Sequence, residues 1–237
     1  MEIEITLLAI NNNNSNDNNN NKNLQISKNK FYCQKNFMKI LQIIYSTFDN
    51  NIKSSIPLNL DEDSGDDWNI TKSAICLLTL LSQCCDINLI NSVTEYISQK
   101  ISVVGLGLEG DENQNNFNKE IAMIAFGAIL STNNKPAMTN IVFSSLETII
   151  KFLKSSIYPS TLKKTTSWVL LRISKFYGEI FLTNPIAFNI LISEIIDLMQ
   201  KSTKKISCLL ITSLHFFAKN IYNENNLEIN LFTPHTK

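Results

Sequence analysis

The chain has 237 residues, 44% of them apolar, and its 21 basic and 21 acidic side chains leave a formal net charge of zero. Such a length supports a sizeable core in one or two domains, while balanced charge excludes a global field that would draw in nucleic acid or an anionic membrane. With only 6 Gly and 5 Pro against plentiful Leu, Ile, Ser and Lys, helices are favoured over strands.

Met1 to Ile10 lacks a basic n-region and carries Glu2 and Glu4, so it does not read as a signal peptide. No apolar run reaches the length of a membrane span, and a soluble protein without membrane insertion is expected. Residues 11–23 are almost pure asparagine, with no side chains to bury against the entropy of ordering, and residues 1–29 are expected to be a disordered or linker segment.

Helical spacing of Phe37, Ile40, Leu41, Ile44 and Phe48 predicts a first helix over residues 31–48. A run of carboxylates follows: Asp61, Glu62, Asp63, Asp66 and Asp67, set against Trp68. Like charges at that density repel one another and resist desolvation, which predicts an exposed, negatively charged loop. A second helix is expected from Asn69 to Cys85, largely buried through Ile75, Leu77, Leu78, Leu80 and Leu81, and a third from Ile87 to Val103. Gly105, Gly107 and Gly110 spell GxGxxG, but a helix enters them and a polar loop leaves. A phosphate site needs an entering strand and a departing helix N-terminus, so this is read as a glycine-rich helix stop.

Further helices are predicted from Phe117 to Leu130, where Gly127 admits a close neighbour, from Met138 to Leu153, and from Leu162 to Tyr177. Asn184-Pro185 opens another, with proline in its first turn, and Lys204 to Asn220 closes the set. Residues 222–237 are expected to form a polar tail. Aligned on one another, Lys72, Lys119, Lys163 and Lys204 stand near the start of every second helix, about 41 to 47 residues apart, the HEAT/armadillo period. The fold expected over residues 30–221 is therefore all-α, a HEAT/armadillo-type α-solenoid of about four helix pairs.

Enzymatic chemistry has little support. His215 lies among Leu214, Phe216 and Phe217 and reads as a core or boundary residue, and no nucleophile, base and orienting group share a recognisable spacing. No catalytic residue and no cofactor are expected. The five cysteines (Cys33, Cys76, Cys84, Cys85, Cys208) include no CxxC pair and have only His215 and His235 as imidazole partners, so no zinc site is expected. Four of them fall in apolar helical patterns, where a reduced thiol acts as a small hydrophobe in a reducing compartment. The acidic run lacks the bidentate Glu of a calcium loop, the twelfth place being Lys72. Trp168 reads as packing.

The stretch DEDSGDDWNITKSAICLLTLLSQCCD, Asp61 to Asp86, resembles the acidic-loop HEAT repeat of the importin-β (karyopherin-β) family of nuclear import receptors. Lys30-Phe31-Tyr32 is similar to that family's lead-in, Ala122 to Leu130 to its next inner helix, and Thr165 to Trp168 with Arg172-Ile173 to the one beyond. The resemblance implies a binding protein of nuclear import, present in cytoplasm and nucleus, in which Asp61, Glu62, Asp63, Asp66, Asp67 and Trp68 receive a basic segment of an importin-α-like adaptor or cargo. The alternative is a truncated solenoid fragment acting only as a structural or interaction module. The family's N-terminal repeats, which hold most Ran and nucleoporin contacts, have no counterpart in the matched region, and Ran binding is expected to be weak or absent. The family's tryptophan on the last inner helix is replaced by Leu209. Its Arg-Asp ladder pairs survive as Lys119-Glu120 but become Lys163-Lys164 and Lys204-Lys205, a basic surface that repels a basic ligand toward the C-terminus.

Overall fold

The computed structural model describes residues 18–54, 70–102 and 112–223, with side chains described over 31–50, 70–102 and 112–220. Among the described residues there are eight α-helices and no strand: α1 (Asn18–Ser54), α2 (Ile70–Cys84), α3 (Ile87–Ser102), α4 (Glu112–Ile129), α5 (Lys135–Lys154), α6 (Ser160–Tyr177), α7 (Pro185–Lys201) and α8 (Lys204–Asn223), with a 3-10 segment, Gly178–Thr183, between α6 and α7. The all-α solenoid predicted from the repeat is the observed fold. The glycine motif at 105–110 and the tail from residue 224 lie outside the described residues.

The helices pack as successive pairs, α1 with α2, α3 with α4, α5 with α6 and α7 with α8. Even-numbered members also touch one another in order, so α2, α4, α6 and α8 form a continuous inner row, with the odd-numbered helices outside. Each pair is held by an apolar stripe: Leu41, Ile44 and Phe48 of α1 face Ala74, Leu78 and Leu81 of α2, all buried. Phe181, Phe188 and Phe217 form a buried aromatic knot joining the 3-10 segment, α7 and α8, with centroids 5.3 to 6.0 Å apart. Edge-to-face geometry of this kind adds to simple area burial.

Two helix boundaries and the burial of one helix differ from the sequence reading. Helix α1 extends back to Asn18, into the asparagine tract, because elongating an existing helix fixes one residue per bond gained and asparagine, though a poor helix former, is not a breaker. Helix α4 starts at Glu112, so Lys119 lies two turns inside it rather than near its start. Helix α2 is buried on one face only: Leu80 is 44% exposed and Cys76 is exposed, so the expectation of a largely buried helix is corrected.

Local chemistry accounts for the helix starts. Asp86 accepts the backbone N–H of Asn88 at 3.0 Å as α3 begins, and Asn184 accepts that of Ala187 at 3.1 Å as α7 begins with Pro185 in its first turn. Last-turn carbonyls lack intrahelical partners, and here the next repeat supplies donors. Asn133 Nδ2 donates to Gln83 O of α2, Arg172 Nε to Gly127 O of α4, and Asn220 Nδ2 to Ser174 O of α6, each at 2.7 Å. These rungs clip the C-terminal end of each inner helix to its successor.

Candidate binding surface on the inner helices

Helix α4 is buried without interruption from Asn118 to Ile129, and its charged pair is buried with it. Glu120 accepts a hydrogen bond from Thr165 Oγ1 of α6 at 3.1 Å. Burial pushes its carboxyl above the ordinary carboxylate range, and the hydroxyls of Thr165 and Thr161 and the charge of Lys164 only partly oppose that. Lys119 lies over the Tyr158 ring, 5.0 Å from its centroid. Burial, reinforced by the nearby Lys151, lowers its ammonium pKa, with Glu112 acting weakly the other way. The pair is a packing element between inner helices.

On α6 and α8 the equivalent face is partly open to solvent. Trp168 lies against Gly127 of α4, so close that a Cβ there would come within 2.1 Å of the indole. Gly127 thus admits a close neighbour, as its lack of a side chain suggests. Half-buried, Trp168 does pack, and it also starts a ladder of cations and rings. Arg172 lies 5.2 Å from the Trp168 ring and 5.1 Å from Phe176, while Lys175 bridges Phe176 at 5.4 Å and Phe216 of α8 at 5.8 Å. The Arg172 guanidinium also holds Gly127 O, so one side chain ties the ladder to α4. His215 is exposed at the end, 5.7 Å from Phe216, a boundary residue.

Asp61, Glu62, Asp63, Asp66, Asp67 and Trp68 lie outside the described residues; the run leads into α2 two residues after Trp68. Of the five cysteines, Cys85 is buried, Cys33 and Cys84 are half-buried, and Cys76 and Cys208 are exposed. The ladder went unread in the sequence because its members are contiguous only across two helices; the available signal was the Trp-x3-Arg-x3-Phe spacing of α6, one turn per step. Among the described residues no helix is long and apolar enough to cross a membrane, and no group of three metal-ligating side chains occurs.

Comparison with known proteins places this geometry in context. No protein-family model matches the chain. The importin subunit beta-1 of Saccharomyces cerevisiae is 29% identical over 137 residues, 55% of this chain and 14% of that protein. Its counterpart in Schizosaccharomyces pombe is 30% identical over 122 residues, 51% of this chain and 13% of that one. The chain therefore matches only a small part of either relative, and both are importin subunits. Among solved structures, Kap95p bound to RanGDP superposes with a TM-score of 0.62 at 22% identity, covering 82% of this chain and 21% of that one. Importin β crystallised from ammonium sulfate gives 0.62 at 20% identity over 83% of this chain and 20% of that one, and the Kap95:Nup1 complex 0.58 at 20% identity over 81% and 20%. Sequence kinship across half its length and a shared helical stack make this chain importin-β-like, a HEAT-repeat segment related to the nuclear import receptors.

Proposed function

We propose that the chain is a binding module of nuclear protein import, acting in cytoplasm and nucleus, in which Asp61, Glu62, Asp63, Asp66, Asp67 and Trp68 receive a basic segment of an importin-α-like adaptor or cargo. The observation that carries this reading is the position of the acidic run: it leads directly into Ile70, the first residue of the first inner-row helix. A helix N-terminus favours nearby negative charge, which suits a sequence whose carboxylates immediately precede one. Charge attraction guides a basic peptide in, and an indole supplies apolar and cation–π contact for an Arg or Lys stem. Kap95p binds RanGDP and Nup1 in the solved complexes. For this chain, weak Ran binding is expected, because one acidic patch gives too little interface for a stable complex. The reading assigns no catalytic residue and no cofactor.

Calorimetric titration of an Arg/Lys-rich peptide into the chain at low and physiological salt tests the reading. Affinity should fall steeply with salt, since exposed charges are screened beyond about 8 Å at physiological ionic strength. Trp68→Ala should cost about 2 kcal/mol of binding while leaving the melting temperature unchanged, and replacing all five acids by Ser should abolish the heat. No heat at either salt retires the reading in favour of a structural or interaction module, for which the exposed Ile186 and Ile190 of α7 are the supporting observation.

A further inference from the structure

The cation and ring ladder is not absorbed by the acidic run, and its electrostatics run the other way. Helices α6 and α8 contain no Asp or Glu, yet they carry Lys164, Arg172, Lys175, Lys204, Lys205 and Lys219 in a chain whose formal charge is zero. Four carboxylates on adjoining elements are already engaged, while Glu112 of α4 and Glu147 of α5 add negative charge on the neighbouring helices. Glu120 is buried and bonded to Thr165, in the field of Lys164, while Glu179 pairs with Lys135, Glu194 with Lys154 and Asp197 with Lys201. Positive potential is therefore concentrated along this part of the inner row.

We propose that the inner face of α6 and α8 is a second binding surface, which takes an acidic peptide segment with interspersed apolar side chains. Its two components are both present. Exposed Lys175, Lys205 and Lys219 supply attraction, and the half-buried rings of Trp168, Phe176 and Phe216 supply apolar contact between the cations. Because Arg172 and Lys175 are held over rings, part of the ordering cost of two long side chains is already met in the unbound protein. A single-stranded nucleic acid fits less well. It needs open ring faces for base stacking, and here Arg172 occupies Trp168 while Arg172 and Lys175 both occupy Phe176.

Fluorescence anisotropy of the full chain with a labelled Glu/Asp-rich peptide containing spaced Leu residues tests the proposal. Binding should weaken as salt rises, and the exposed-site variant Lys175→Glu/Lys205→Glu should lose about tenfold or more in affinity with an unchanged circular dichroism spectrum. Phe216→Ala should weaken binding severalfold, and Lys39→Glu on outer helix α1, at the far end of the stack, should leave it unchanged. Absence of binding, equal affinity for a peptide with Ser in place of its acids, tighter binding of a labelled oligothymidine, or indifference to the charge reversal would overturn it. Trp68→Ala should not affect this peptide, so the two sites succeed or fail separately.

Discussion

From Asn118 to Ile129, α4 is buried on all sides, whereas in α8 buried Ile206, Leu210, Ser213 and Phe217 alternate with exposed Lys205, Cys208, Ile211 and His215. Both are inner-row helices, and the lysine spacing of the sequence set Lys119 and Lys204 in parallel, although Lys119 lies two turns inside α4 and Lys204 is the first residue of α8. The first is 8% exposed, over a tyrosine ring, with its charge disfavoured by burial; the second is exposed at a helix N-terminus. Repeat position thus determines which helix a residue is on, while the helices packed around it determine whether its charge is sequestered or offered to a partner. In α4 the charged pair became part of the interior. In α6 and α8 the charges remained at the surface.

The largest test of the buried half is Gly127→Leu. Overpacking against Trp168 and the loss of the close α4–α6 approach should cost about 3 kcal/mol, read as a fall in denaturation midpoint. Pairing it with Trp168→Ala should recover much of the loss; no recovery would show that the indole is not what limits the site. Arg172→Met is expected to cost about 2 kcal/mol, since it removes a charge-assisted bond to Gly127 O while keeping apolar bulk. Gly178→Ala should cost less, about 1 kcal/mol, because the added carbon meets the end of the Asn220 side chain, which can move by giving up its bond to Ser174 O.

The buried pair also makes stability depend on pH. The folded Glu120 pKa is raised, so between the ordinary carboxylate value and that raised one the native state holds the extra proton and stability falls as pH rises. Glu120→Gln retains an acceptor for Thr165 and should abolish that fall, measured by chemical denaturation across about pH 4 to 8. Lys119 behaves in the opposite sense. Its folded pKa is lowered, so stability should rise as pH climbs from that lowered value to the ordinary lysine value, and Lys119→Met should remove the rise. The smallest effect belongs to Lys204→Met, within about 0.5 kcal/mol at neutral pH, as for an exposed surface position.

Helix type, order and pairing were legible in the chain. Apolar stripes at helical spacing marked all eight helices, Gly127 announced a close approach, and the lysine register disclosed the repeat, because these signals depend on residues within one turn or one period of one another. The acidic run was legible as a charge pattern, and its ligand rests on proposal. Tertiary structure alone decided three things: that the Lys119-Glu120 pair is interior, that Arg172 joins Gly127 to two rings, and that Asn133, Arg172 and Asn220 cap the helix ends of the preceding repeats. Each depends on a contact between residues about 45 to 50 positions apart, where the sequence specifies both partners but not the distance between them. Whether a charge is buried or a carbonyl gains a side-chain donor is a property of the surrounding helices, and those are assembled only when the stack forms.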